Sequence, residues 1–320
     1  MNKQVLIIIL SIILAVSCIA LTACEFKIPS KGLKYKLLDD GTYSVVGLGE
    51  CTNKVIVIPA QHEKIAVTTV APNAFKDSAI TSVTFPQSIT SIGDYAFKGC
   101  SSLEKVTFQG ESQLVSLGEE AFAKCVKLGN ITIPKGIKVL DDTFRECQSL
   151  KSVTFEEGSQ LEKISGAFYW CVNLADINIP SSVTTISSGA FSCCKFESIV
   201  IPASVTVLGG FNSCEKLKSV TFDKNTQLQK ITNSCFESCT SLQSITIPAS
   251  VNQLGRNAFS SSGITSIVFE QGSQLTSLHG EVFSNCSNLN SIVFPQALER
   301  ISDGVFKIAQ ACNKLPFQQV

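Results

Sequence analysis

The amino-acid sequence predicts a solenoid: a mainly β, right-handed coil with one parallel sheet and short helical or irregular turns on its convex side. Three observations predict it. A phenylalanine recurs at Phe75, Phe97, Phe122, Phe144, Phe168, Phe191, Phe211, Phe236, Phe259, Phe283 and Phe306, in steps of 20 to 25 residues. Three residues after each comes a small side chain, and it is Cys in eight of the eleven units. Next comes a short alternation such as Val106-Thr107-Phe108 or Ile131-Thr132-Ile133. Its period of two is that of a strand, with Val, Ile and Phe turned inward and Thr outward. A unit this short cannot bury its apolar stripe alone, so the units must stack. Parallel strands joined by crossovers give the right-handed sense.

The chain opens with an address. Met1 to Gln4 carries one Lys, and Val5 to Ala20 is apolar apart from Ser11 and Ser17. This is the pattern of a secretory signal, and it is shorter than the roughly 20 apolar residues of a membrane-spanning helix. It ends in Leu21-Thr22-Ala23-Cys24, which closely resembles the lipobox of bacterial lipoproteins. That resemblance implies removal of residues 1–23 and lipidation of Cys24. Residues 24–66 are then expected to form a lipid tether and an N-terminal hairpin cap, with a hairpin from Tyr35 to Gly47 around Asp39-Asp40-Gly41. Ile56, Ile58 and Pro59 match the strand phase, and extra residues intrude around Gln61 to Ala66. Residues 67–320 form the eleven-coil solenoid, whose phase is lost after Lys307.

Within a unit, Ile or Leu usually lies five residues before the Phe, and Leu usually lies six after it, as in Leu103, Leu128 and Leu150. After the strand the chain turns in one of two ways, which nearly alternate. One is a Pro, as at Pro134, Pro180 and Pro248; the other is a longer polar loop, as at Glu156-Glu157-Gly158-Ser159. Pro donates no ladder hydrogen bond, so it suits the strand end. Recurrent Leu, one strand and a Cys at this period are the signature of a leucine-rich repeat.

The unit from Ile92 to Phe108, Ile-Gly-Asp-Tyr-Ala-Phe-Lys-Gly-Cys-Ser-Ser-Leu-Glu-Lys-Val-Thr-Phe, is similar to the BspA-like class of leucine-rich repeat. So is the stretch from Tyr35 to Pro59. The resemblance implies a leucine-rich-repeat solenoid in an exported, membrane-anchored lipoprotein at the bacterial cell surface. It also implies a protein partner, because some family members bind host matrix proteins or other cells.

Composition narrows the function classes. Lys plus Arg and Asp plus Glu each number 26, so the formal net charge is zero and the basic surface of a nucleic-acid binder is missing. The two histidines, His62 and His279, are far apart and read as solvated loop residues. Paired carboxylates such as Glu119-Glu120 and Asp141-Asp142 sit in turns, and no CxxC occurs. The expectation is therefore no catalytic residue, no metal and no cofactor. The periodic cysteines read as a buried, unpaired ladder, with Ser78, Ser262 and Ala309 in the gaps. The phase thus asks for smallness rather than sulfur chemistry, while scattered disulfides stay open for the twelve cysteines beyond Cys18 and Cys24.

The candidate binding face is the outward side of the strands: Lys105, Thr107, Asn130, Thr132, Ser152, Thr154, Asp176 and Asn178. Thr84 and Val200 continue the same row. β-propensity alone accounts for these residues, and so does a surface for another protein. Tyr169 and Trp170 form an aromatic pair on the turn side, suited either to contact or to rim packing. The expected function is presentation of the solenoid for protein binding or adhesion. The alternatives are a structural envelope lipoprotein without a specific ligand, and a secreted hydrolase.

Overall fold

The structure is a computed structural model that describes residues 28–307. Among these residues there is no helix; all regular structure is short strands. The chain enters through an antiparallel hairpin, β1 (Lys34–Leu37) and β2 (Tyr43–Gly47). Asp40 closes it: its Oδ1 accepts from Thr42 N at 2.9 Å and from Thr42 Oγ1 at 2.7 Å. Those two bonds hold the Asp40 carboxyl below its ordinary pKa. After β3 (Val55–Val57), the intrusion seen in the sequence forms a second hairpin, β4 (Gln61–His62) against β5 (Ile65–Val70). β2 pairs in parallel with β5, so the entry hairpin continues directly into the coil stack.

From there each coil contributes two strands. The first kind is β6 (Ser82–Phe85), β8 (Lys105–Phe108), β10 (Asn130–Ile133), β12 (Ser152–Phe155) and β14 (Asp176–Ile177). The second kind is β7 (Ser91–Ile92), β9 (Ser116–Leu117), β11 (Val139–Asp141) and β13 (Lys163–Ser165). The same alternation runs on to Arg300–Ile301. All pairings between successive coils are parallel and in register, for example Thr132 opposite Thr154 and Leu140 opposite Ile164. The expected single sheet is thus corrected to two parallel ladders. The second was hidden because its strands are two or three residues long, too short to display a period of two. Its inward members are the Ile and Leu residues that precede each Phe, such as Ile92 and Leu140, both fully buried.

A third line of coil-to-coil hydrogen bonds runs through the turn that carries the phenylalanines. Phe97 N donates to Ala121 O at 2.7 Å, and Phe122 N to Thr143 O at 2.9 Å. Left-handed residues two before and two after the Phe shape this turn, as at Glu120 and Lys124 or at Asp142 and Glu146. Inside, the Phe rings form a continuous stack from Phe75 to Phe306, with centroids 4.9–5.8 Å apart. Planes are within about 20° of parallel except at Phe191–Phe211, where the tilt is 31°. That is the 20-residue step, the shortest coil. Gly209 and Gly210 make the shortcut possible: a Cβ on Gly209 would collide with Thr232 Oγ1, and one on Gly210 with Ser187 O and Ala190 N.

The eleven cysteines among the described residues are all unpaired, and all but Cys193 are buried. Their role corrects the sequence reading that only smallness matters. Each ladder thiol donates to the carbonyl of the preceding coil's Phe: Cys147 Sγ to Phe122 O at 3.2 Å, Cys171 Sγ to Phe144 O at 3.2 Å, Cys286 Sγ to Phe259 O at 2.9 Å. The substitutes Ser78 and Ser262 retain a hydroxyl in hydrogen-bonding reach of the next thiol, Cys100 or Cys286. In the described coils the phase holds a small side chain that also carries a hydrogen-bonding group. Burial pushes the thiols of Cys147, Cys171 and Cys194 well above their ordinary pKa, so these stay protonated and unreactive.

The two turn types interlock. In the longer polar loops, Glu156 Oε2 accepts from Lys135 N at 3.0 Å and Glu270 Oε2 from Ala249 N at 2.9 Å. Each donating residue follows the Pro of the preceding coil. Alternation therefore gives the amide beside each of these prolines an acceptor from the next coil.

Candidate binding surfaces

The strand face is built by register. Asn130, Ser152 and Asp176 stand side by side across β10, β12 and β14, and Thr132 stands beside Thr154. All five are exposed, as are Lys105 and Asn178, while Thr107 is half-buried. Inward partners confirm the register: Ile131 and Ile133 are buried, and Val106 and Phe108 are partly buried against the core. Thr84 is corrected: it is 2% exposed and belongs to the interior of the first coils rather than to the face. Further along, Val200, Val268 and Val293 replace the hydroxyls and lie more than half exposed.

The ladder of first strands is not continuous. It is interrupted after β8, after β14 and after the strand Ser219–Phe222. At β14 the strand shortens to two residues, and Asn178 leaves the ladder. An open groove of about 430 Å³ lies beside it, lined by Ser152, Thr154, Glu156, Asp176, Asn178 and Pro180 among others. No Lys or Arg lines it. The sequence offered no signal for this groove, because it arises from a strand ending early rather than from a motif.

His62 is a second correction. It lies in β4, half-buried, not in a solvated loop. Its ring stacks on Tyr35 at 3.9 Å and meets Tyr43 edge-on at 4.9 Å. Tyr43 Oη donates to Glu63 at 3.0 Å. The tight Glu63-Lys64 turn, both residues left-handed, folds His62 back onto the entry hairpin. His279 is exposed, with Nδ1 3.0 Å from Ser302 Oγ.

On the turn side, Arg145 is held from three directions. Its Nη1 reaches Asp142 at 3.5 Å, its Nε donates to Glu146 at 3.3 Å, and its guanidinium lies 4.3 Å from the Tyr169 ring centroid. Trp170 lies edge-on to Tyr169 and is 48% exposed. Among the described residues no group of three or more His, Cys, Asp or Glu is placed to hold a metal, and no helix is long and apolar enough to cross a membrane. Cys24 lies outside the described residues.

Stacked parallel coils, a continuous aromatic spine and an exposed strand face define a leucine-rich-repeat solenoid. The description "BspA type Leucine rich repeat region" matches the chain in six copies over residues 68–166, 144–228 and 209–319, and the chain belongs to that family. It is similar to the solved structure of a leucine-rich cell surface protein from Faecalibacterium prausnitzii, with 27% identity, a TM-score of 0.61, and coverage of 89% of this chain and 86% of that one. A leucine-rich repeat protein from Eubacterium ventriosum shares the fold at 19% identity and a TM-score of 0.51, covering 91% of this chain and 90% of that one. No curated protein matches.

Proposed function

We propose that this chain is an exported lipoprotein, anchored through Cys24, that presents its strand face to a protein of the host matrix or of another cell surface. The exposed row from Lys105 to Asn178, in register from Asn130 to Asp176, carries the reading. It is a long, regular exposed surface built by the repeat, and its polar side chains are not consumed by the core. The groove at Asp176 interrupts it with a concave, acidic stretch. The cell-surface neighbour from Faecalibacterium supports export. A stable protein interface takes roughly 800 Å² from each partner, so several coils contribute together.

Two experiments test the two halves. Cys24→Ala is expected to release the protein from the membrane fraction or to leave an uncleaved precursor; an unchanged membrane-bound mature protein refutes the anchor. Replacing Thr107, Thr132 and Thr154 together by Lys is expected to abolish capture of a protein that the unmodified chain retains from matrix and cell-surface extracts. An unchanged circular dichroism melt must accompany the loss. Undiminished capture by the triple variant refutes the strand-face site.

A further inference from the structure

The repeated coils act as internal controls for one another. Two residues after the ladder Phe, the chain adopts a left-handed conformation, with φ between 56° and 60° at Lys124, Glu146, Ser213, Ser238, Ser261 and Asn285. All six are polar. Asp77, Gly99 and Cys193 hold the same place in their coils, and each is polar or small. Trp170 occupies that position with φ 58°. It is the one Trp of the protein. A bulky side chain is disfavoured in this backbone conformation, and here nearly half of it is exposed to water. Neither packing nor solubility accounts for a Trp at a position that the other described coils fill with polar or small residues. Strain retained at one coil marks a contact surface.

Its surroundings identify the contact. Glu146 N donates to Tyr169 O at 2.7 Å, so the residues flanking Trp170 are tied to the Asp142–Glu146 turn of the preceding coil. Arg145 is fixed between Asp142, Glu146 and the Tyr169 ring. Lys124 lies 3.8 Å from Glu146, so Lys124, Asp142, Arg145 and Glu146 sum to no net charge. The apolar part is small: Trp170 and the 36% exposed Val172. That is far below the apolar core of a protein interface of standard size. It suits one ring of a sugar, whose C–H face stacks on an aromatic face and whose rim of hydroxyls bonds to planar, pre-oriented groups. The absence of net charge selects an uncharged sugar.

We infer that Trp170, flanked by Arg145, Asp142 and Glu146, is a binding site for a neutral oligosaccharide. The site is separate from the strand face and does not depend on the function proposed for it.

The single Trp makes the test direct. The full chain, in a detergent without a sugar headgroup, is titrated with neutral hexasaccharides of glucose, mannose, galactose and N-acetylglucosamine while Trp emission is read. At least one is expected to give a saturable change. Trp170→Ser, which matches the equivalent positions Ser213 and Ser238, is expected to weaken that sugar's binding at least tenfold by calorimetry, with no lowering of the circular dichroism melt. Arg145→Gln is expected to weaken it several-fold. No emission change with any of the four sugars overturns the assignment. So does binding that survives Trp170→Ser, which places the sugar elsewhere.

Discussion

The coils around Phe144 and Phe168 and those around Phe236 and Phe259 have the same interior and different outsides. Inside, both pairs stack Phe on Phe, at 5.8 and 5.4 Å, and both send a Cys thiol to a Phe carbonyl. Outside, the first pair carries Asp142, Arg145, Glu146, Tyr169 and Trp170. The second carries Ser234, Glu237, Ser238 and Ser261 at the matching places, and where the first has Tyr169 it has the buried Ser260. Backbone conformation is the same in both, left-handed at Glu146 and Trp170 as at Ser238 and Ser261. The interior and the turn amides hold the coil, and they leave the turn surface free to differ. A difference between coils is therefore informative about contacts, whereas a similarity is informative about stability.

The sharpest test of the shared interior is alkaline pH. Cys147, Cys171, Cys194, Cys214 and Cys235 are raised well above the ordinary thiol value by burial. Above about pH 9 the unfolded chain loses these protons while the folded chain keeps them, so the unfolded state binds fewer protons and stability falls as pH rises. Below that pH their contribution is fully present. Each thiol adds a slope of about 1.4 kcal/mol per pH unit, so the stability measured by urea unfolding is expected to fall steeply between about pH 9 and 10.5. A fall no steeper than that of a chain with Cys147→Ser and Cys171→Ser contradicts the buried, protonated ladder.

Removing a ring from the spine comes next. Phe168→Ala opens a gap between Phe144 and Phe191 and is expected to cost about 3–5 kcal/mol. Coils touch only their neighbours, so the urea transition is expected to split into two phases as the halves uncouple. A single unshifted transition contradicts a continuous spine. The thiol bridge is a smaller effect. Cys147→Ser keeps a donor for Phe122 O and is expected to cost about 1 kcal/mol, against about 2–3 kcal/mol for Cys147→Val, which removes the donor and adds a branched methyl. Equal costs restore the reading that only size matters.

The surface is expected to respond least, and in one case in the opposite direction. Trp170→Asn replaces a strained aromatic by a residue that tolerates the left-handed region, and a gain of roughly 0.5–1 kcal/mol is expected in thermal unfolding. Lys98→Met removes the ion pair with Glu120 and is expected to cost under about 1 kcal/mol, as partly exposed pairs do. A large loss from either locates structural energy on the turn surface and erases the contrast.

Residue spacing alone carried the solenoid, the count of coils, the Phe spine, the inward and outward phases of the strand and the entry hairpin. These are set by periods of two and of about twenty-three, and every coil repeats the signal, so errors in one unit are outvoted by the rest. Of the candidate face, the exposed row from Asn130 to Asn178 was legible for the same reason. Thr84 was not, because its burial depends on how the first coils close over it. The second ladder was invisible, since two-residue strands gain their hydrogen bonds only from the coil above and the coil below. The thiol donors, the Glu156 and Glu270 bridges between turns, the His62 stack and the Arg145 clamp all join residues of different coils or opposite sides of a turn. No spacing within one repeat encodes such contacts. The chain's periodicity determined which residues face the axis; the stacking of one coil on the next decided what each of them touches.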